Sequence, residues 1–498
     1  MGRLLKKAAA AAVAAGLLSL CSCGTAKPGT FIDYAGRDLA GHAKLAVKKD
    51  ANGHAFKGFG AEWDPFFFMP FNQKYGLTED DWQLNLNRVK AMNLKTVRTF
   101  FTPDYYEPSD GRMDFETNHM KSLKRQLDAC EELGITVTLS CHGIPYSSWL
   151  GFPAAQWNFW SAPNSLDRFA GNIAALLQYL LVDKGYTCIR YLNLWNEPNI
   201  TFTMPQSDRN SPWVRGEPEK KYYIEMAKKV DQKLKDEKLR DKIGLVFSDD
   251  ADDMEFMRDV LTELKEVGDV ISSHNYMFTD LTANSKISLW AEGVMNYADT
   301  IAPALPHFLY EVGNGNSIDA YHTSDLKEYE RGFYLPKIAV NYLNAGGTGM
   351  MYWTLFDQLY SDGLIETSKM SYGLWGFKDE EWELRPTYHA LALMSRFTEI
   401  GAKVYPFISD DDFVCGVGFE NPGGSRTYFV YNAQRSERAF YIEDIGGKNG
   451  IYNRYDFTRE TAALQQDILD ASGSEAMSGL IIQGSMAPQS FAVYHMSG

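Results

Sequence analysis

Cysteine is scarce in this chain, with six residues among 498. Two of them, Cys21 and Cys23, lie near the N-terminus, and the others are single and far apart (Cys130, Cys141, Cys188 and Cys415). Disulfide frameworks are typical of short, cysteine-dense chains. The pattern therefore predicts buried free thiols and excludes a fold that depends on disulfide bonds.

Positive charge is also in short supply. The chain has 49 lysines and arginines against 64 aspartates and glutamates, which gives a formal net charge of -15 at pH 7. Nucleic acids are bound by clustered cations that displace counterions from phosphates. The charge balance excludes nucleic acid as a partner.

Several motifs that hold metals, phosphates or activated nucleophiles are missing. The chain has no His-Glu-x-x-His, no Cys-x-x-Cys, no Gly-x-Ser-x-Gly and no phosphate-loop lysine. An acidic run at 249–253 lacks the spacing of a calcium loop, so a solvated turn is favoured over a Ca²⁺ site. We expect no cofactor and no metal.

Apolar and aromatic residues, by contrast, are plentiful. They reach 45% and 14% of the chain, beside 23% charged residues, which is enough for a large core. Aromatic side chains suit ligands with flat apolar faces, such as sugars. The length exceeds the about 250 residues of one α/β barrel, so we expect a barrel with a smaller second domain.

The first 23 residues read as an export signal. A basic start at 1–7 precedes an apolar run to Leu20, which is too short to span a bilayer stably. The run ends in Leu-Cys-Ser-Cys-Gly, which is similar to a bacterial lipobox with Cys23 as the lipidated residue, because bulky Leu20 precedes Cys21. The alternative is a plain signal peptide with incidental cysteines. The prediction is an exported protein of a Gram-negative envelope, attached to the outer membrane only through its lipid, on either face.

Residues 55–398 alternate apolar runs with amphipathic helical patterns. Eight runs look like strands, at 56–61, 96–101, 136–141, 189–195, 244–248, 270–274, 308–311 and 349–353. Eight strands alternating with helices predict a closed parallel (β/α)8 TIM barrel of the α/β class. Polar residues appear at the ends of these runs, where barrel active sites form.

The two flanking regions contain shorter strands. Runs at 413–418, 427–431, 439–442, 479–483 and 490–496 predict an appended β-sandwich over 399–498. Residues 24–43 form a linker, and the N-terminal strand at 44–54 is expected to cross over and join the sandwich. Asn52-Gly53 also favours a hairpin with the first barrel strand.

Two carboxylates end the fourth and seventh runs. The fourth ends in Trp195-Asn196-Glu197-Pro198, and the seventh, His-Phe-Leu-Tyr-Glu, delivers Glu311. Cleavage of a glycosidic bond with retention needs one acid and one nucleophilic carboxylate about 5–5.5 Å apart. Strands four and seven face each other across a barrel mouth, so the pair fits that chemistry.

The Asn-Glu-Pro at the end of strand four resembles the acid/base signature of the clan-A glycoside hydrolases, whose nucleophile ends strand seven. The resemblance implies a retaining enzyme with Glu197 as acid/base and Glu311 as nucleophile. A helix-capping or salt-bridged glutamate is the alternative for each position.

Other residues match the clan more loosely. Arg98 resembles the arginine that pairs with the nucleophile, and Asn196 the amide that binds the sugar 2-hydroxyl. His274 and Tyr276 would contact the nucleophile, and His142 and Trp353 would form the floor of a sugar subsite. Ordinary ion pairs, caps and packed aromatic residues are the alternatives.

The first barrel strand, Gly58-Phe-Gly60, resembles the opening of family 30, with glycines that fit a tightly packed strand. It implies that Glu62, Trp63 or Asp64 bonds the non-reducing sugar. Arg-Pro-Thr-Tyr-His-Ala at 385–390 looks more like family 39. An aromatic loop after strand three either lines further subsites or packs on itself as a lid (Tyr146, Trp149, Phe152, Trp157, Phe159 and Trp160).

The resemblance spans residue 44 to the C-terminus and leaves the sugar open. It implies cleavage of β-glycosidic or α-L-arabinofuranosidic bonds in plant, fungal or host polysaccharides or oligosaccharides. The alternative is a catalytically inactive lipoprotein that binds glycans at the cell surface. The sequence indicates neither endo nor exo action, nor an oligomeric state.

Overall fold

The computed structural model describes residues 32–144, 149–152, 160–204, 216–277, 284–314, 327–360 and 368–498. The export signal at 1–23 and its Cys23 lie outside the described residues. So do Tyr146, Trp157 and Phe159 of the aromatic loop.

A closed barrel of eight parallel strands forms the larger part of the molecule. Strand β1 (Ala43–Val47) precedes it, and the barrel strands are β2 (Gly58–Glu62), β3 (Thr96–Phe101), β4 (Thr136–Cys141), β5 (Ile189–Asn193), β6 (Gly244–Ala251), β7 (Val270–Met277), β8 (His307–Asn314) and β9 (Gly349–Tyr352). Each strand pairs in parallel with the next, and β9 closes onto β2. The barrel prediction is confirmed, because each of the eight apolar runs overlaps one of these strands.

Helices flank the barrel between its strands. They are α1 (Pro70–Gln73), α2 (Glu79–Met92), α3 (Asn118–Leu133), α4 (Leu166–Leu177), α5 (Pro198–Thr201), α6 (Glu217–Asp236), α7 (Met254–Leu264), α8 (Asn284–Ile301), α9 (Tyr329–Asn344) and α10 (Pro386–Arg396). Local signals define their ends. Thr78 forms a capping box with Asp81 at the start of α2, and Gly134 ends α3 with a φ of 67°.

The barrel interior and the strand–helix layer bury separate apolar clusters. Val246, Val270, Phe308, Tyr310 and Met351 pack together, whereas their chain neighbours belong to the main core. Because side chains alternate along a strand, this cluster fills the barrel and the main core lies beneath the helices. The interior is therefore closed below the mouth.

The C-terminal domain is a nine-stranded sheet. A separate two-stranded sheet, β10 (Gln358–Tyr360) and β11 (Ser368–Met370), precedes the C-terminal strands in the chain. The nine strands are β1 and β12 (Lys403–Ser409), β13 (Val414–Glu420), β14 (Arg426–Asn432), β15 (Arg438–Glu443), β16 (Gly450–Phe457), β17 (Gly473–Met477), β18 (Ile481–Met486) and β19 (Ser490–Met496). A one-turn helix, α11 (Arg459–Ala462), follows β16. Both wings of the sheet contribute to one apolar cluster, with Leu45 and Ile442 from one wing and Tyr428 and Tyr494 from the other. The sheet thus folds into the predicted sandwich.

Strand β1 lies in this sheet, between β12 and β15. It runs antiparallel to β12 and parallel to β15. The hairpin expectation at Asn52-Gly53 is wrong, because the amides of Asn52 and Phe56 instead donate to the carbonyls of Val404 and Ala402. The chain follows β12 from one domain to the other.

One apolar core crosses the boundary between barrel and sheet. Phe56 meets Phe419 edge to face at 5.3 Å between ring centroids, and the Asn341 amide donates to the Tyr431 hydroxyl at 2.9 Å. The four cysteines in the described residues are buried and free, as predicted. None of the helices in the described ranges combines the length and the apolar character needed to cross a membrane.

Candidate active site

The two predicted carboxylates meet at the C-terminal mouth of the barrel. Glu197 follows β5, and Glu311 lies on β8, three strands further round. One oxygen of each carboxylate and a ring nitrogen of His274 all lie within 4.8 Å of one another. Retaining glycosidases have carboxyl groups about 5–5.5 Å apart, and inverting enzymes about 6.5–9.5 Å. The separation falls in the retaining class.

Glu197 sits on a tight turn between β5 and the one-turn helix α5. Its φ of 47° and ψ of 55° lie in the left-handed region, and its amide donates to the Asp249 carbonyl at 3.1 Å. The side chain makes no capping hydrogen bond and is 19% exposed. Its backbone carbonyl, not its carboxylate, caps the helix, so the carboxylate is free to face the mouth.

Glu311 is held on both of its oxygens. Arg98 Nη1 donates to Oε1 at 2.6 Å, and the Tyr276 hydroxyl donates to Oε2 at 2.6 Å. Burial favours the neutral acid, but the charges of His274 and Arg98 and the two hydrogen bonds outweigh it and lower the pKa of Glu311. Burial and the Glu311 charge raise the pKa of Tyr276 well above its usual range, so its hydroxyl remains a donor.

Arg98 is fully buried beneath the mouth. Its guanidinium lies 2.6 Å from Glu311, 3.4 Å from Asp249 and 3.5 Å from Glu62. It also donates to the side-chain oxygen of Asn196. Burial disfavours its charge, but these carboxylates reverse that effect and raise the pKa of Arg98. A fixed cation therefore supports Glu311 and orients the amide beside Glu197.

His274 lies between three carboxylates and is 1% exposed. Nδ1 is 3.0 Å from Glu197 and 3.6 Å from Glu311, and Nε2 is 3.1 Å from Asp249. Burial favours neutral imidazole, but Glu311 and Asp249 raise the pKa of His274 well above its usual range. The residue types of Glu197, His274 and Glu311 suit a metal, yet a protonated imidazole has no lone pair to offer one.

The acidic run at 249–253 is the predicted solvated turn only in its second half, where Asp252 is exposed. Asp249 and Asp250 lie at the end of β6, 0% and 1% exposed. Asp249 accepts from Ser272 Oγ at 2.8 Å and from the Asn193 amide. Sequence reasoning missed Asp249, although its place at the end of the fifth barrel strand is the signal that found Glu197 and Glu311.

Three further predicted residues lie around the mouth. Asn196 points to Arg98, and half-buried His142 stacks on Phe100 with centroids 4.1 Å apart. Half-buried Trp353 meets Tyr276 edge to face at 6.4 Å, and its Nε1 has no hydrogen-bond partner among the described residues. Both His142 and Trp353 follow the carboxyl ends of barrel strands and are partly exposed.

Glu62, Trp63 and Asp64 are not brought to the mouth. Trp63 is 1% exposed and packs on Trp82 of α2, behind the barrel wall. Asp64 accepts from the Phe100 amide at 2.8 Å and from a tyrosine hydroxyl, and both oxygens of Glu62 are closed to solvent beside Arg98. Burial raises the pKa of Glu62 well above its usual range and that of Asp64 to about 6. The expectation that they bond a sugar is corrected to a structural role.

The described part of the aromatic loop packs inward. Trp160 is 5% exposed, and Trp149 and Phe152 pack against the main core. These three residues fit the packed alternative better than an open platform.

The fold has many counterparts among solved structures. A GH30 endoxylanase from Clostridium papyrosolvens C71 aligns with a TM-score of 0.65 at 12% identity over 91% of this chain and 100% of its own. A conserved exported protein from Bacteroides fragilis gives 0.65 at 13% over 91% and 100%, and an α-L-arabinofuranosidase from Thermotoga maritima 0.61 at 14% over 92% and 100%. No protein-family model and no curated protein matches. The likeness establishes the fold, a closed eight-stranded barrel with an appended sheet domain.

Proposed function

We propose that this protein is a retaining glycoside hydrolase in which Glu197 is the acid/base and Glu311 the nucleophile. The observation that carries the proposal is the pairing of two carboxylates within 4.8 Å across a barrel mouth. Their environments differ, because Glu311 accepts hydrogen bonds from Arg98 and Tyr276 while Glu197 is partly exposed. Such a difference separates an ionised nucleophile from a proton donor.

The first chemical step follows from that difference. A Glu311 oxygen attacks the anomeric carbon and forms an ester while the bond to the leaving oxygen breaks. The proton of Glu197 passes to the leaving oxygen. Water then attacks the anomeric carbon, Glu197 takes the proton from that water, and the ester bond to Glu311 breaks, which restores both groups and the original anomeric configuration.

The surrounding residues supply binding. Asn196, whose oxygen is held by Arg98, presents its amide nitrogen for the sugar 2-hydroxyl, a contact that strengthens in the transition state. Trp353 and His142 offer flat faces to the ring. The substrate class is a carbohydrate with β-glycosidic or α-L-arabinofuranosidic bonds from plant, fungal or host polysaccharides or oligosaccharides.

An inactive glycan-binding protein is the second candidate. The aromatic residues at the mouth, Trp353 and His142, favour it as much as they favour an enzyme. A binding protein, however, gains nothing from a buried glutamate held ionised by Arg98 and Tyr276. This arrangement favours the enzyme.

Hydrolysis of a panel of aryl glycosides and polysaccharides tests the choice. Wild type is compared with Glu197→Ala, Glu311→Ala and the control Glu399→Ala, an exposed glutamate outside the mouth. We expect the control to match wild type and Glu197→Ala to lose roughly 10²–10⁴-fold in rate on substrates with poor leaving groups. The proposal that the protein is an enzyme is contradicted if the wild type binds glycans but hydrolyses them no faster than the two active-site variants do.

We further propose export and anchoring through a lipid on Cys23, as the lipobox-like segment indicates. The exported protein among the structural neighbours supports the proposed export. In a Gram-negative host, wild type should sediment with the outer membrane, and Cys23→Ser should move to the soluble fraction. A wild type recovered in the soluble fraction contradicts the anchor.

A further inference from the structure

We propose that Asp249 is a positioning residue that fixes His274 as an imidazolium, and that this one cation serves Glu311 and Glu197 in turn. The inference rests on the proposed function, because it assigns the cation a task in each half of the double displacement. It is carried by three observations: how Asp249 is anchored, which groups face His274, and where Nδ1 lies between the glutamates.

Asp249 is locked in place by its two neighbouring strands and by Arg98. Its Oδ1 accepts from Ser272 on β7, and its Oδ2 accepts from Asn193 on β5 and lies 3.4 Å from Arg98 on β3. Its backbone is left-handed, with a φ of 49°, and its carbonyl accepts the Glu197 amide. The carboxylate cannot turn away without breaking these contacts. It therefore presents Oδ1 to His274 permanently.

Carboxylates face both nitrogens of His274. Nε2 lies 3.1 Å from Asp249 in an ion pair that is not aligned as a hydrogen bond, and Nδ1 is in hydrogen-bonding range of Glu197. Glu311 adds an ionised carboxylate 3.6 Å from Nδ1. Neutral imidazole has one N–H, so it would turn a lone pair toward Asp249 or toward Glu311. The imidazolium carries an N–H on both sides of the ring, also while Glu197 holds its own proton.

The remaining charged groups near His274 do not reverse this preference. Arg98 is a cation, but it is already surrounded by Glu62, Asp249 and Glu311. Asp250, on the same strand as Asp249, accepts from Ser273 Oγ at 2.9 Å, and burial raises its pKa to about 7. Tyr276 is held neutral by burial and by Glu311.

The position of Nδ1 suits both halves of the reaction. Before attack, Glu311 is ionised and Glu197 carries the proton. In the glycosyl-enzyme, Glu311 is an ester, and the negative charge belongs to Glu197, which already lies 3.0 Å from Nδ1. The imidazolium thus remains next to the charged carboxylate without giving up a proton. Asp249 keeps the imidazolium of His274 protonated.

Nitrogen-15 NMR of labelled histidine tests the charge state without reference to activity. The His274 signal, identified with His274→Asn, should keep imidazolium shifts above pH 8 in wild type and titrate at lower pH in Asp249→Asn. The control Asp250→Asn removes a neighbouring buried carboxyl that faces Ser248 and Ser273 and interacts less with His274, so it should move the signal much less than Asp249→Asn does. A wild-type His274 that is neutral at pH 7, or one that is equally protonated in Asp249→Asn, overturns the proposal.

Kinetics then test the second half of the proposal. With aryl glycosides whose good leaving groups make hydrolysis of the ester limiting, Asp249→Asn should lower kcat at least tenfold and move the alkaline limb to lower pH. Asp250→Asn should match wild type. An unchanged kcat and alkaline limb in Asp249→Asn overturn the shared-cation role. A wild type without hydrolase activity refutes the proposed function, whereas the NMR result still decides the charge state.

Folding is checked by thermal unfolding of each variant. If Asp249→Asn does not fold, Ser272→Ala replaces it, because it removes one hydrogen bond to Asp249 and leaves the carboxylate in place. We expect it to lower the pH at which His274 loses its proton. A His274 titration identical to wild type in a folded Ser272→Ala variant counts against the proposal.

Discussion

At the scale of residues, the site is organised around Arg98. The guanidinium is closest to Glu311, at 2.6 Å, and is 3.4–3.5 Å from Asp249 and Glu62. Its strongest interaction therefore goes to the proposed nucleophile. The two more distant carboxylates differ, since Asp249 accepts from Ser272 and Asn193 whereas Glu62 is paired with the carboxyl of Asp64. Arg98 thus controls which carboxylate is most strongly stabilised in its charged form.

Tyr276→Phe tests how Glu311 is kept ionised. The change removes a 2.6 Å hydrogen bond that lowers the pKa of Glu311. A hydrogen bond to a charged group contributes about 1.5–3 kcal/mol, so we expect kcat/KM to fall roughly 10- to 100-fold. Because attack needs ionised Glu311, and its pKa rises without the bond, the acid limb of the pH–rate profile should move to higher pH.

The control for this variant is Tyr388→Phe. Tyr388 is another buried tyrosine, and its hydroxyl donates at 2.8 Å to the Asp467 carbonyl, in contacts away from the mouth. It should lose stability without a change in the acid limb. An unmoved acid limb in Tyr276→Phe would show that this hydroxyl does not set the charge of Glu311.

The positions of Glu197 and Glu311 were predictable because each ends an apolar strand, and parallel strands in a barrel deliver their ends to one mouth. Asp249 also ends a barrel strand, but the acidic residues that follow it are typical of a solvated turn, so the sequence favours a turn there. Trp63 and Asp64 were misplaced because they follow a strand end yet turn behind the wall to Trp82 and the Phe100 amide. Local sequence does not show which way such a turn goes.

At the scale of elements, strand β2 depends on glycine for its fit. A Cβ on Gly60 would lie 2.1 Å from the Thr96 carbonyl oxygen of β3. Real Cβ atoms do not approach a backbone oxygen so closely, so the two strands would have to separate. Since β2 closes the barrel with β9, the effect would reach the whole ring.

Gly60→Ala should therefore destabilise the protein by about 3 kcal/mol or more, as overpacking against backbone does. The matched control is Gly171→Ala within helix α4, where a Cβ meets nothing within 4 Å. It should stabilise by about 0.4–1 kcal/mol, because alanine loses less entropy on folding. Urea unfolding compares the two, and equal free energies of unfolding would refute the close approach.

The elements that the sequence predicted are those with continuous apolar runs or strong helical periods. Helix α8 and strands β12, β16 and β17 were not predicted. In the three strands, apolar and polar side chains alternate only weakly, and β17, Gly-Ser-Glu-Ala-Met, is exposed along most of its length. Strand β17 forms because β16 offers it a free edge, a property of the assembled sheet that no local pattern records.

At the scale of the whole molecule, barrel and sheet behave as one body. The main apolar core contains Phe59 from the barrel and Phe429 and Phe491 from the sheet. Helix α9 also ties them together, since Asn344 bonds the backbone of Phe407 and Gly416. The strand β1 that completes the sheet precedes the barrel in the chain. The barrel and the sheet therefore share their main core.

We accordingly expect one cooperative thermal transition, with equal calorimetric and van't Hoff enthalpies. A chain that ends at residue 398 should fail to fold, because it exposes the barrel side of the shared core. Differential scanning calorimetry checks the first expectation, and circular dichroism of the truncated chain the second. Two separate transitions would contradict the shared core.

The central claim, a double displacement through Glu311 and Glu197, is tested most directly by the configuration of the first product. Proton NMR during the first minutes of hydrolysis, before the sugar equilibrates in water, reports the anomer that the enzyme releases. Carboxylate oxygens within 4.8 Å are much closer than the about 6.5–9.5 Å of an inverting pair and predict retention. Release of the inverted anomer would contradict the account.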